Sequence, residues 1–131
     1  MKLHHIALCV KDLESMRAFY ERCFGAVAND RYHNPKTGLK TYFLTFDGGG
    51  RLELMSRPDV TRMPVGAIIN RPSAGYAHLA VGAGSRDEVD HVTEWLRRDG
   101  YTVVSGPRVT GDGYYESCVL DPEGNLIEIV E

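Results

Sequence analysis

The sequence predicts an α+β protein built from two βαβββ modules that form a curved mixed sheet with a concave metal site. Two observations carry this. First, His5-Ile6-Ala7-Leu8 is echoed by His78-Leu79-Ala80-Val81. Second, each echo is followed by an amphipathic helical stretch, and each half closes on a glycine-led strand with one carboxylate among apolar neighbours. That strand is Gly50-Arg51-Leu52-Glu53-Leu54-Met55 in the first half and Gly124-Asn125-Leu126-Ile127-Glu128-Ile129-Val130 in the second. An internal repeat constrains a fold more than any single motif. A unit that sets its helix on one sheet face leaves the other face to pack on something or to line a cavity. The 131 residues are read as one domain, with module one at about 1–57, a connector at about 58–75 and module two at about 76–131.

Residues 3–10 read as a strand. Ile6, Leu8 and Val10 share one face, expected to pack under a helix, and His5, Ala7 and Cys9 share the other. Asp12 is an N-cap, and a helix is expected over 13–24 with the stripe Leu13, Met16, Phe19 or Tyr20, and Cys23 or Phe24. Gly25 fits the residue just past its end. Residues 26–33 and 39–46 read as strands joined by the turn Asn34-Pro35-Lys36-Thr37-Gly38. Asp47-Gly48-Gly49-Gly50 turns the chain into a strand over 51–56. The connector holds Pro58, Pro64, Gly66 and Pro72 and reads as a long loop, in which Arg62 and Met63 are candidates to cap a pocket. Module two repeats the order. A strand over 76–81 leads to the capping box Ser85-Arg86-Asp87-Glu88. The helix it opens carries the stripe Val89, Val92, Trp95, Leu96 and ends at Gly100. Strands follow over 101–105, 114–120 and 125–130, the last two joined by the tight turn Asp121-Pro122-Glu123-Gly124.

Composition bounds the function. A 43% hydrophobic and 25% charged chain is an ordinary globular protein rather than a disordered or membrane-spanning one. A net charge of −3 argues against nucleic acid as the main partner, because such binders carry a basic face. The start of the chain lacks the pattern of a secretory signal. Cys9, Cys23 and Cys118 form neither a C-x-x-C pair nor an even set, which fits a reducing cytoplasm; each reads as a small buried hydrophobe.

Two His and two Glu, if they converge, make a divalent metal site. Strand parity selects among them. His5 lies with the small residues Ala7 and Cys9, whereas His4 falls on the bulky side. His78 likewise lies with Ala80 and Gly82. Glu53 sits opposite Leu52 and Leu54, and Glu128 opposite Ile127 and Ile129. A carboxylate buried unpaired in such a strand is costly, and a cation removes that cost. Taken singly, each residue reads more readily as a solvated or hydrogen-bonded strand side chain; the repetition of type, place and parity is what favours the metal. Neutral imidazoles and carboxylates suit Ni, Zn or Co. Glu116, in Tyr114-Tyr115-Glu116-Ser117, shares a strand face with Cys118 and Leu120 and is either a lining residue or the partner of an arginine.

These segments resemble the vicinal oxygen chelate superfamily, which includes glyoxalase I, bleomycin-resistance proteins and methylmalonyl-CoA epimerase. The resemblance rests on the stretch from His5 to Leu13, on Phe19-Tyr20 to Phe24-Gly25, on Tyr76-Ala77-His78-Leu79-Ala80-Val81 and on the stretch from Leu120 to Glu128. It implies the glyoxalase/bleomycin-resistance fold. His5, Glu53, His78 and Glu128 match the four metal positions of glyoxalase I one for one. The implied activity is a lyase or isomerase acting on a substrate with adjacent oxygens, such as a 2-oxoaldehyde–thiol hemithioacetal, by proton transfer through a metal-bound enediolate. Glu128 is the implied base, with Glu53 as partner or alternate. One divalent ion per site, a thiol cosubstrate and a homodimer are implied, with no nucleic acid or membrane partner. The alternatives are an epimerase-like isomerase and a non-catalytic protein that sequesters a small molecule such as an antibiotic. The chain departs from the resemblance at Cys9, where related short enzymes carry an arginine in H-x-x-L-R-V, and at Arg57, where they carry an asparagine. The thiol is therefore left unnamed, and Arg57 is a candidate replacement cation.

Overall fold

The computed structural model describes residues 1–62, 69 and 74–131. Met63 and most of the connector lie outside the described residues. The chain divides into two compact units, Met1–Arg62 and Met63–Glu131.

The first unit runs β1 (Ile6–Cys9), α1 (Leu13–Phe24), β2 (Val27–Ala28), β3 (Tyr32–His33), β4 (Lys40–Thr45), a 3-10 turn at Asp47–Gly49, and β5 (Arg51–Ser56). Its sheet has the order β1-β5-β4-β2, with β3 also paired to β4. β1 runs parallel to β5, and the remaining pairs are antiparallel. The expected helix is found with its caps. The Asp12 side chain accepts from the Ser15 N–H at 3.0 Å, and Gly25 takes a left-handed φ of 64° that a side chain would strain. Leu13, Met16, Phe19, Tyr20 and Cys23 are buried along the helix, which packs on β4 and β5.

The second unit runs β6 (Leu79–Gly82), α2 (Arg86–Arg98), β7 (Val103–Val109), β8 (Tyr115–Leu120) and β9 (Leu126–Val130). Its sheet order is β6-β9-β8-β7, again with the first and last strands parallel. Ser85 caps α2 by accepting from the Glu88 N–H at 3.2 Å. The core beneath α2 holds Val89, Thr93, Leu96, Val119, Ile127 and Ile129. No helix among the described residues is long and apolar enough to cross a membrane.

Several expectations are corrected. The strand over 26–33 is two short strands. Val27 and Ala28 pair with Thr45 and Leu44, and Tyr32 and His33 with Thr41 and Lys40. Residues 29–31 thus face only 42–43 of β4, one residue too many, and the ladder breaks there. Strand β6 begins at Leu79, not at 76. Ile6 is exposed because β1 is the end strand of its sheet, and Cys9 is exposed rather than buried. On α2, Val92 and Trp95 are only half-buried, and Thr93 takes the inward place. Strand β7 runs on through Gly106-Pro107 to Val109 instead of stopping at 105.

Candidate functional site

In each unit the parallel pair of strands sets a histidine beside a carboxylate. Ala7 is in register with Glu53, and Ala80 with Glu128. His5 and His78 stand two residues before those alanines, just outside the strand in both cases. The repetition seen in the sequence is therefore a repetition of register. His5 Nε2 lies 3.4 Å from Glu53 Oε2, and His78 Nε2 lies 3.1 Å from Glu128 Oε2. The carboxylates are the more sheltered members, 16% and 21% exposed against 32% and 38% for the imidazoles. The neighbours Leu52, Leu54, Ile127 and Ile129 are buried on the helix side, as parity requires.

The two pairs differ in what flanks them. The row Ala7–Glu53–Phe43 across the first sheet corresponds to Ala80–Glu128–Cys118 across the second. Phe43 presents its ring to His5, with centroids 5.1 Å apart, and carries the Arg51 guanidinium at 4.5 Å on the ring. His4 does not take the opposite side from His5: its Nδ1 lies 2.7 Å from His5 Nδ1, and its Nε2 lies 3.2 Å from Arg51. Strand alternation begins only at Ile6, so parity does not govern His4.

In the second unit, Cys118 occupies the place of Phe43 and leaves a polar surface. Ligand atoms of Glu116, Cys118 and Glu128 lie within 4.8 Å of one another. Glu116 is 8% exposed, and its Oε1 accepts from Arg108 Nη2 at 3.3 Å. Burial pushes the Cys118 thiol up; a hydrogen bond with Ser105 opposes this, and the charges of Glu116 and Glu128 reinforce it. Burial and the two neighbouring carboxylates thus both favour the protonated thiol. Cys118 was read from sequence on the face of Glu116, whereas Arg108 was not singled out as a member of it. The available signal for Cys118 was the hairpin register that places it opposite Glu128.

Arg57 is not an open cation. Asp59 holds its fork at 2.9 and 2.6 Å on the exposed surface.

The Glyoxalase/Bleomycin resistance protein/Dioxygenase superfamily model matches residues 2–129. The uncharacterized protein YqjT of Bacillus subtilis is 30% identical over 135 residues, covering 98% of this chain and 97% of that protein. Lactoylglutathione lyase of Schizosaccharomyces pombe is 28% identical over 147 residues, covering 98% of this chain and 47% of the enzyme. Mitochondrial methylmalonyl-CoA epimerase of Bos taurus is 31% identical over 77 residues, covering 59% of this chain and 43% of the enzyme. The chain therefore spans less than half the length of these two enzymes. Among solved structures, the trypanothione-dependent glyoxalase I of Leishmania major superposes with a TM-score of 0.78 at 21% identity, covering 100% of this chain and 86% of that one.

Proposed function

The chain belongs to the Glyoxalase/Bleomycin resistance protein/Dioxygenase superfamily, and from that premise we propose a metal-dependent lyase or isomerase of the glyoxalase I type. The substrate class is a compound with adjacent oxygens, such as a 2-oxoaldehyde–thiol hemithioacetal. The single observation that carries the reading is the His–Glu pair repeated in the same register in both units.

Within each pair, the donor spacing is compatible with two ligands of one divalent ion. Two ligand atoms held at ~2.1 Å and at right angles stand ~3 Å apart, close to the 3.4 and 3.1 Å of the two pairs. His5, Glu53, His78 and Glu128 would hold one Ni, Zn or Co ion, imidazole and carboxylate being suited to such borderline cations. Such an ion would supply electrostatic stabilisation for negative charge developing on a substrate oxygen. Glu128 takes the proton from the carbon beside that oxygen: the C–H bond breaks, a carboxyl O–H forms, and the electron pair moves onto the oxygens. Return of the proton to the neighbouring carbon completes the isomerisation, with Glu53 as partner or alternate base. The protein works as a homodimer in this reading.

Metal analysis and a rate assay test it. The expected result is about one divalent ion per chain, lost in His5→Ala and His78→Ala, with turnover of methylglyoxal in the presence of one of several thiols. Glu128→Gln is expected to abolish turnover while retaining fold. Full turnover by that variant removes Glu128 as the base, and a metal-free protein that binds a small molecule without turnover establishes sequestration instead. A second reading, an epimerase-like isomerase, is favoured by the local identity to methylmalonyl-CoA epimerase. Deuterium incorporation from heavy water into methylmalonyl-CoA, without turnover of any hemithioacetal, selects it.

A further inference from the structure

We propose that Arg108 forms a carboxylate subsite on the open face of the second unit's sheet, receiving an acidic substituent of the substrate whose chelating end is held at His78–Glu128. The proposal rests on the metal reading of that pair and specifies what else the substrate carries.

The contacts form a continuous row. Arg108 reaches Glu116 at 3.3 Å; the ligand atoms of Glu116, Cys118 and Glu128 lie within 4.8 Å of one another; Glu128 meets His78 at 3.1 Å. Arg108 is thus two side-chain steps from Glu128, by way of Glu116. Its placement follows from the register, which sets Arg108 opposite Glu116 after the bulge at Ser105–Arg108. That bulge is held tightly. Gly106 has φ +84°, and a Cβ there would stand 2.6 Å from the Glu116 carbonyl oxygen.

Three features make Arg108 more than the neutraliser of a buried carboxylate. Its side chain is 49% exposed, and Glu116 takes one of its five N–H donors at a long distance. Among the described residues of this unit it is the one Lys or Arg on the sheet. Arg86, Arg97 and Arg98 lie on α2 and face Glu131 or Glu94. In the row Ala80–Glu128–Cys118, small side chains stand on both sides of the carboxylate. Without a metal the face is acidic and repels anions. A divalent ion reverses its sign, so recognition is metal-dependent. A single guanidinium, already paired with Glu116, matches one negative charge and a planar fork, hence a carboxylate rather than a phosphate dianion.

The test uses two chelators that differ only at the tail: the monohydroxamate of succinic acid and that of succinamide. Calorimetric titration of the zinc-loaded protein is expected to favour the acid tail by about tenfold, the scale of one charge-assisted pair in a half-exposed place. Arg108→Gln is expected to bring the ratio to about one, and Arg108→Lys to recover part of it. Because Arg108→Gln leaves Glu116 unpaired, the double variant Arg108→Gln/Glu116→Gln is measured as well, with the same loss of preference expected. Equal affinity for both tails in the wild type, or an unchanged preference in the double variant, overturns the subsite and leaves Arg108 as the partner of Glu116. Failure of both chelators to bind the zinc-loaded protein overturns the metal reading itself, and the subsite with it.

Discussion

Asp121→Ala tests whether the turn between β8 and β9 fixes the frame of Glu128. Asp121 is 4% exposed. Its Oδ1 accepts from the backbone N–H groups of Glu123 and Asn125, both at 2.9 Å, and its Oδ2 accepts from Asn125 Nδ2 at 2.8 Å. The backbone bond from the Asp121 N–H to the Asn125 carbonyl survives the change, so alanine removes three charge-assisted hydrogen bonds. A net hydrogen bond contributes about 1 kcal/mol, and more to a charged acceptor. Glu123 and Asn125 are only half-buried, so the freed donors regain some water. The two corrections oppose each other and leave a loss of about 3 kcal/mol. Urea unfolding followed by circular dichroism measures it. With a slope of about 2 kcal/mol/M the midpoint falls by about 1.5 M at constant slope. Asp121→Asn keeps an acceptor for both backbone N–H groups and is expected to lose about 1 kcal/mol. An alanine effect below about 0.5 kcal/mol means the side chain does not hold the turn. Equal losses for Asn and Ala mean that charge, not the backbone bonds, is the source.

Zinc at a hundredfold excess over its Kd is expected to stabilise the protein by about 2.7 kcal/mol, reversibly with a chelator. A double His78→Ala/Glu128→Ala variant that keeps the full shift in calorimetry places the ion elsewhere. Thr93→Val is expected to cost about 1–3 kcal/mol, because Thr93 Oγ1 donates to the Val89 carbonyl at 2.6 Å and lies 2.5 Å from the buried Ser117 hydroxyl. Adding Ser117→Ala recovers part of that loss by removing the orphaned partner, and strictly additive losses refute the coupling. Thiol labelling of the native protein followed by peptide mass spectrometry is expected to mark exposed Cys9 before Cys118. The raised Cys118 thiol keeps its proton at a pH where an ordinary thiol begins to lose it, so its labelling rises only at higher pH. Equal rates at pH 8 contradict that environment.

The two helices were legible to the residue at their starts because Asp12 and Ser85 act locally, each through its own side chain and an N–H three residues on. The strand starts were not legible, because they depend on a distant partner. Ile6 pairs with Leu52 and Leu79 with Ile127, while β5 begins at Arg51 and β9 at Leu126. A parallel partner one residue further back would meet the end of the neighbouring strand, so alternation in 3–5 and 76–78 has nothing to pair with. This places both histidines at the lip of a sheet rather than within it, where an imidazole reaches a carboxylate on the adjacent strand without a full cross-strand contact. It also explains why parity misjudged His4, which turns to the side of His5. The far side of the second pair was hidden for a similar reason. Gly106-Pro107 reads as a strand terminator, yet the close approach of Gly106 to β8 and the register shifts on either side carry β7 onward. Arg108 is delivered opposite Glu116 by that irregularity, and a reading that assumes regular strands cannot place it. The repeated half of the site was thus written in residue identity, whereas the half that distinguishes the two units, Phe43 in one and Cys118 with Arg108 in the other, was written in pairing.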